Sequence, residues 1–413
     1  MRHYFQGFVV AVLSAWFAPL AIAATPASIQ QATPTATPIK YLIVIFDENI
    51  SFDHYFGTYP NAANPPGEPP FYPRPNTPSV NGFNRTILQK NPNGIAPFRL
   101  DRSQDMTCDN INYYTQEQKA YHGGLMDMFS LLSAPGSGCL QNLNFGYYDG
   151  NTVTALWNYA QYFTLEDNFF ASTFGTTVMG HLNLLAGQTH GATPPNIAGK
   201  VVNGSVISNI DPTDDDCSSG STIVMSGPTV GDLLNAKGIT WGWFYGDWTP
   251  IGISDGEAIC SSDYDAHYAP FQYYASTANP HHLPPTSISR IGQTDRANHQ
   301  YDISDFWAAV ANGNMPAVTF LASAYQDRCG YGPRLAFLVL SPYARKNYVD
   351  HSLEDMTSIL RFIEDNWGLG QIGDQSFDSE AGSILNAFGF SRPGPSEPLI
   401  LDPQSGEIVS GGK

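Results

Sequence analysis

The chain has 413 residues, of which 42% are hydrophobic and 14% charged, and its formal net charge is −18. Such a chain can bury a large core, and its composition is that of a globular protein. Because its negative charge repels phosphate backbones, we expect no nucleic-acid partner. A small phosphorylated ligand is not excluded, since a bound cation can reverse the local field.

Residues 1–23 have the pattern of a secretory signal peptide. A short basic start precedes an apolar stretch over residues 7–22, which is too short for a typical membrane span. The small-x-small sequence at residues 21–23 predicts cleavage before Ala24. The sequence therefore predicts a secreted or periplasmic protein without a later membrane span.

Hydrophobic patterns along the mature chain predict an α/β protein. Continuous apolar runs predict buried strands, and apolar residues at helical spacing predict helices. Strands that alternate with helices indicate an α/β sandwich with a mostly parallel central sheet. The predicted elements in chain order are a strand at 41–46, a helix at 151–163, strands at 317–323 and 335–340, and a helix at 355–367.

Composition also predicts how the chain is organised. Residues 24–40 are rich in Thr, Pro and Ala and are expected to form an extended tether. Residues 41–392 form the predicted domain, in which 205–299 has the Gly, Ser, Asp and aromatic content of loops and a cap over the sheet. Residues 393–413 are expected to be a polar tail at the periphery.

The chain has five cysteines, so at least one lacks a partner within the chain. Export permits disulfides, and Cys217–Cys260 and Cys108–Cys139 are two pairs that the sequence allows. Their connectivity stays open at this point.

Two segments contain residues whose side chains suit the binding of a metal ion or of an anion. Glu48 and Asn49 follow the first predicted strand, where oxygen ligands suit a hard cation; the alternative is an ordinary turn at a strand end. Thr176 and Thr177 follow Gly175 and precede an apolar run at residues 182–186 that can open a helix, whose N-terminus favours a bound anion. The alternative there is a simple Thr N-cap. His181 lies in the same stretch and is expected either to pack or to contact substrate.

The histidines of a later segment form a third candidate group. Histidines donate hydrogen bonds to phosphate oxygens and titrate near neutral pH, but proximity in sequence does not show proximity in space. The members of the group are His267, His281, His282 and His299.

Several long motifs resemble the bacterial phosphoesterase family that holds the non-haemolytic-type phospholipases C and a group of acid phosphatases. The first, DENISFDHYFGTYP, is long and specific. The motifs are at residues 47–60, 174–191 (FGTTVMGHLNLLAGQTHG), 329–352 (CGYGPRLAFLVLSPYARKNYVDHS) and 358–369 (SILRFIEDNWGL).

The resemblance implies an alkaline-phosphatase-like α/β/α fold and a hydrolase of phosphate esters. It implies that Glu48 and Asn49 bind a catalytic divalent metal of unknown identity and that Thr177 is the nucleophile. It implies substrate contacts by His267 and by His299. The implied ligand is a small phosphate ester or a phospholipid headgroup, with transient contact to a membrane surface.

The resemblance breaks at the junction of Asp327 and Arg328. Similar proteins carry there a further strand that ends in an acidic pair, which completes the metal site; the motif is absent from this chain. We therefore expect a sheet that lacks one core strand and a metal site with too few oxygen ligands. The hypothesis is a hydrolase with little or no activity, and its alternative is an inactive phospholipid- or surface-binding member of the family.

Overall fold

The computed structural model describes residues 34–46, 51–104, 111–133, 142–322, 333–391 and 398–411. The helices are α1 Phe52–Phe56, α2 Arg85–Gln89, α3 Tyr114–Tyr121, α4 Thr154–Tyr162, α5 Thr177–Ala186, α6 Val230–Lys237, α7 Ile303–Asn312 and α8 Met356–Trp367. The strands are β1 Leu42–Phe46, β2 Phe98–Arg99, β3 Gly146–Tyr147, β4 Thr164–Glu166, β5 Phe169–Phe170, β6 Ala192–Thr193, β7 Val201–Val202, β8 Ser205–Val206, β9 Asp211–Pro212, β10 Thr222–Met225, β11 Trp241–Tyr245, β12 Gly252–Ser254, β13 Glu257–Ile259, β14 Gln300–Asp302, β15 Val318–Ala322, β16 Phe337–Val339, β17 Tyr348–Asp350, β18 Glu354–Asp355, β19 Ile400–Leu401 and β20 Ile408–Ser410.

A parallel sheet in the order β1-β15-β11-β14 forms the centre of the fold. Its strands are apolar and aromatic (LIVIF, VTFLA and WGWFY for the first three), as expected for strands covered by helices. The helices α5 and α8 pack on one face with Trp243 and Phe320, and α7 packs on the other face with Phe244. The predicted α/β fold with a parallel sheet is confirmed.

The inner strand β11 comes from the segment that the sequence analysis predicted to be loops and a cap. All five of its residues are buried, and it pairs with β15 along its whole length. The prediction of a cap over 205–299 is therefore wrong for this part of the segment. Its Trp, Gly and Tyr content resembles that of an aromatic loop, but here it forms an inner strand of the sheet, and its Trp243 side chain packs against His181 of α5.

The strand β1 lies at the end of this sheet and has one open face. Val44 is 8% exposed, whereas Ile43 and Ile45, which point to the opposite face, are 41% and 76% exposed. Among the described residues only β15 pairs with β1, so its outer edge has no partner strand there. The predicted buried strand is thus buried on one face only. The junction of Asp327 and Arg328 lies outside the described residues, so the loss of a neighbouring strand stays a prediction.

A smaller sheet, β16-β4-β17, lies beside the main one. The predicted strand at 335–340 appears here as β16, antiparallel to β4, while β17 runs parallel to β4. The predicted helices at 151–163 and 355–367 appear as α4 and α8, and Asp355 caps α8 by accepting from the Thr357 amide.

Both ends of the described chain are attached to the domain. The Ala36 amide donates to the carbonyl of Asn366 in α8, and the Asn366 side chain donates to the Ile39 carbonyl. The tether predicted for 24–40 is therefore fixed to the domain by its last residues. In the predicted tail, β19 and β20 form a hairpin, and Arg102 donates to the carbonyls of Gln404 and Ser405.

Cys217 and Cys260 form a disulfide, one of the two pairs that the sequence allowed. The other pair, Cys108 and Cys139, lies outside the described residues. Within the described ranges, none of the helices has the length and hydropathy that crossing a bilayer requires.

Candidate functional site

Thr177 is the first residue of α5, as the sequence predicted for a hydroxyl at a helix N-terminus. The preceding Thr176 is the extended N-cap residue, but its side chain accepts no capping hydrogen bond. Both threonines are buried. The first turn of a helix presents backbone N–H groups and the positive end of the helix dipole, which favour an anionic group.

The turn into α5 depends on Gly175 and on Glu117 in α3. Gly175 has φ +123°, and a Cβ atom there would come within 1.5 Å of the Met179 side chain. Its amide donates to Oε2 of Glu117 at 2.5 Å. Burial raises the pKa of Glu117 to about 8, although this hydrogen bond opposes the shift. A largely protonated carboxyl group therefore holds the turn that precedes Thr177.

A chain of hydrogen bonds connects the N-terminus of α5 to His267. The Val178 amide donates to Oδ1 of Asn209 at 3.2 Å, so Nδ2 of Asn209 faces Nε2 of His267, also at 3.2 Å. Nδ1 of His267 lies 2.5 Å from Oδ1 of Asp265. Burial opposes ionisation of Asp265, but His267 outweighs it and the pKa of Asp265 is lowered. With Nδ2 of Asn209 as the donor, Nε2 of His267 is the acceptor, and Nδ1 of the same ring faces Asp265.

His181 lies one turn after Thr177 and is fully buried. Its ring packs against Phe46 at 4.7 Å and Trp243 at 5.4 Å between centroids. Burial, together with the nearby His267, lowers the pKa of His181 to about 3. His181 is therefore neutral at ordinary pH, and it packs between α5 and the central sheet.

Glu48 and Asn49 lie outside the described residues. Phe46, the last residue of β1, contacts His181, so β1 ends beside α5. The next described residue, Ser51, caps α1 by accepting from the His54 amide.

The structure does not bring His299 to this group. Its ring stacks on Trp241, the first residue of β11, with centroids 4.3 Å apart, and its Nδ1 lies 3.0 Å from the Trp241 carbonyl oxygen. Its Nε2 lies 3.2 Å from the Thr294 hydroxyl. His299 therefore sits at the amino end of the sheet, whereas α5 begins near the carboxyl end of β1. His281 pairs with Asp216, and His282 with Asp215, within the 205–299 segment.

Two sets of polar atoms lie near the start of α5. Oε1 of Glu117 and Oγ1 of Thr176 are buried oxygens without a hydrogen-bond partner among the described residues. The ligand atoms of Asp211, Asp265 and His267 also lie within 4.8 Å of one another. In that second set, however, His267 already contacts Asp265 directly, so the set is better explained as a close pair that orients the imidazole.

Sequence reasoning missed Glu117, Asn209 and Asp265. Glu117 and Asn209 carry no local motif, and only the fold brings them to α5. The Asp-x-His spacing of Asp265 and His267 was a usable signal, because a residue two positions away can orient the ring.

A parallel sheet covered by helices on both faces, with a threonine at the start of a helix near the sheet's carboxyl edge, defines a three-layer α/β protein. This architecture is consistent with the alkaline-phosphatase-like fold. Residues 39–329 and 322–370 match the sequence model of the Phosphoesterase family, and the chain belongs to that family.

Among curated proteins the chain is similar to bacterial phospholipases C. It is 23% identical over 434 aligned positions to the non-hemolytic phospholipase C of Pseudomonas aeruginosa, which covers 86% of this chain and 58% of that protein. It is 28% identical over 163 residues to phospholipase C A of Mycobacterium tuberculosis, which covers 36% of this chain and 29% of that protein. The chain therefore spans little more than half the length of the longer match.

The same comparisons bear on the segment that the sequence analysis found missing. The family match falls into two parts that overlap at residues 322–329, a range that includes the junction of Asp327 and Arg328. The alignment with the Pseudomonas protein has 434 positions and includes 86% of the 413 residues of this chain, which is about 355 residues. Roughly 80 positions of that alignment thus have no residue in this chain.

Proposed function

We propose that this protein is an exported hydrolase of phosphate ester bonds, of the phospholipase C or acid phosphatase kind, with Thr177 as its nucleophile. The position of Thr177 at the first turn of α5, in a chain of the Phosphoesterase family, carries the proposal. Glu48, Asn49 and the Thr177 hydroxyl are the proposed metal ligands, with His267 as the group that contacts substrate.

The proposed reaction proceeds in two displacements at phosphorus. The Thr177 oxygen bonds to phosphorus as the ester oxygen leaves with a proton, and water then replaces Thr177 and restores its hydroxyl. The amides of the first turn of α5 support the negative charge on the phosphoryl oxygens. A bound divalent metal supplies a lower pKa for the attacking hydroxyl and neutralises charge on the phosphate.

The activity is expected to be low because the metal site is incomplete. A hard cation usually takes about six oxygen ligands, and Glu48, Asn49 and Thr177 supply three side chains among them. Without the acidic pair, metal affinity falls and the Thr177 hydroxyl is less activated.

The test is hydrolysis of 4-nitrophenyl phosphate and 4-nitrophenyl phosphocholine by the full chain with Mg²⁺, Mn²⁺, Ca²⁺ or Zn²⁺. We expect slow, metal-dependent release of nitrophenol, which Thr177→Ser retains in part and Thr177→Ala abolishes. Thr213→Ala, at an exposed threonine, is the matched control and should keep full activity. Turnover that persists in Thr177→Ala would refute this nucleophile.

A second measurement separates the hydrolase from the inactive binding protein. If no metal supports turnover but phosphocholine still binds the parent, and Thr177→Ala weakens that binding, the site is a phosphate-ester receptor and not a hydrolase. Export is tested by N-terminal sequencing of the protein from the periplasm or medium, which should begin at Ala24.

A further inference from the structure

Three carboxylates converge inside the fold, in a place that the proposed reaction does not use. Glu166 ends β4 and Asp350 ends β17, and the two residues are direct partners in the parallel pairing of these strands. Glu354 belongs to β18, which pairs with β5 opposite Phe169. One oxygen from each side chain lies within 4.8 Å of those from the other two. Local pairing of short strands therefore fixes all three groups at one point.

These carboxylates are buried and largely unpaired. Glu166, Asp350 and Glu354 are 0%, 3% and 2% exposed. Both side-chain oxygens of Glu166, both of Glu354 and Oδ2 of Asp350 have no hydrogen-bond partner among the described residues. A buried carboxylate oxygen without a partner costs considerable free energy, so five of them at one point indicate that a further group binds there.

The neighbouring polar groups have other partners. Oδ1 of Asp350 accepts from the amide and hydroxyl of Ser352. The Asp167 carboxylate accepts from the Asn81 amide and lies 2.9 Å from Nδ1 of His351. Within the described part of the chain, salt bridges to Glu166, Asp350 or Glu354 are absent, so a Lys or Arg does not supply the missing positive charge.

The geometry points to a structural Ca²⁺ site formed by Glu166, Asp350 and Glu354, separate from the proposed catalytic metal. Ca²⁺ binds carboxylate oxygens at about 2.3–2.6 Å, so two of its ligands lie at most about 5 Å apart. The ligand atoms of the three side chains lie within 4.8 Å of one another, which is compatible with this limit. A set of oxygens alone suits a hard cation. Mg²⁺ keeps several waters, for which a buried cluster of side chains leaves little room, so Ca²⁺ fits better.

An alternative is that protonation of the three carboxyl groups, without a bound cation, removes their repulsion. Burial, with repulsion from the other carboxylates, raises the pKa of Glu166 to about 9 and that of Glu354 to about 8, so part of the cluster is protonated when no cation is bound. The two explanations differ in their response to Ca²⁺. A cation site gains stability when Ca²⁺ is added, whereas a proton-held cluster does not.

The experiment compares thermal unfolding of the full chain after EDTA treatment with and without added Ca²⁺. We expect Ca²⁺ at about 100 times its Kd to raise the Tm of the parent by about 3–6 °C, with one ion bound by calorimetry. The Glu166→Gln and Glu354→Gln variants should lose most of this shift. Thr177→Ala and Asp211→Asn should keep it, since they alter the proposed nucleophile and the separate Asp211 group.

The Gln variants also test whether a lost Ca²⁺ response results from misfolding. Gln has nearly the same volume as Glu and, like the protonated carboxyl group, carries no charge, so both variants should fold in EDTA with a Tm close to that of the parent. An unchanged Tm of the parent in Ca²⁺ would overturn the proposal, as would a shift that survives in the Glu166→Gln, Glu354→Gln double variant. A shift produced by Mg²⁺ and not by Ca²⁺ would refute the assignment to Ca²⁺.

Discussion

The carboxyl group of Glu117 in α3 accepts a hydrogen bond from the backbone amide of Gly175, two residues before Thr177. This contact joins α3 to the turn that opens α5, and it fixes a backbone with φ +123°. Glu117 therefore positions the proposed nucleophile without touching it.

Replacing Glu117 should destabilise the protein to a degree that depends on the replacement. Glu117→Ala leaves a buried amide unpaired, which we expect to cost about 1–3 kcal/mol. Glu117→Gln keeps an oxygen acceptor and resembles the protonated carboxyl group, so its loss should be smaller. Urea unfolding measures both, with Glu380→Ala at an exposed glutamate as the control. Equal losses in the two variants would show that the contact with Gly175 does not contribute.

The sequence predicted the elements whose pattern is local. The runs LIVIF and VTFLA and the amphipathic helix α8 show their structure in a few residues, because burial on one or both faces dictates their composition. WGWFY was misread because aromatic residues and Gly are common in loops as well as in strands. Its place between β15 and β14 depends on long-range pairing that the sequence pattern does not contain.

The candidate site was predictable only in part for the same reason. The helix start at Thr177 has a local signal and is confirmed, whereas the roles of Thr177 and His267, which come from the family resemblance, stay predictions. Glu117 and Asn209 reach α5 from distant positions in the chain, and the fold alone brings them there. His299 shared a sequence region with His267, yet β11 and β14 carry it to the other end of the sheet.

The open face of β1 predicts an unequal response to two neighbouring substitutions. Ile45→Thr changes an exposed side chain and should alter the free energy of unfolding by less than about 0.5 kcal/mol. Val44→Ala removes buried methyl groups and should cost about 2 kcal/mol. Chemical denaturation compares the two. A large loss for Ile45→Thr would show that another part of the chain covers this face.

The Cys217–Cys260 disulfide should contribute strongly to stability, because it closes a loop with a sequence separation of 43. The chain-entropy relation gives about 4 kcal/mol for a loop of this size. The Cys217→Ser, Cys260→Ser double variant should therefore unfold at a clearly lower urea concentration. Peptide mapping of the unreduced parent should recover the two segments linked, and their recovery as free thiols would contradict the pairing.

Glu364 predicts a pH dependence that can be measured away from both proposed metal sites. The Ile372 amide donates to Glu364 at 2.9 Å and to Asp378 at 3.1 Å, so two buried carboxyl groups share one donor. Burial, followed by the hydrogen bond with Asp378, raises the pKa of Glu364 from 4.5 to about 9. Between these values the native protein holds a proton that the unfolded chain has lost, and raising the pH therefore favours unfolding.

In Glu364→Gln this proton is absent from both states, while the amide group can still accept from Ile372 and donate to Asp378. The free energy of unfolding should then fall less steeply between about pH 5 and pH 9, by at most about 1.4 kcal/mol per pH unit. Urea unfolding across this range in EDTA, with Glu380→Gln as the exposed control, measures the slope. Parallel profiles for the parent and Glu364→Gln would show that Glu364 is ionised in the native state. The Glu364–Asp378 contact would then be a pair of charges and not a shared proton.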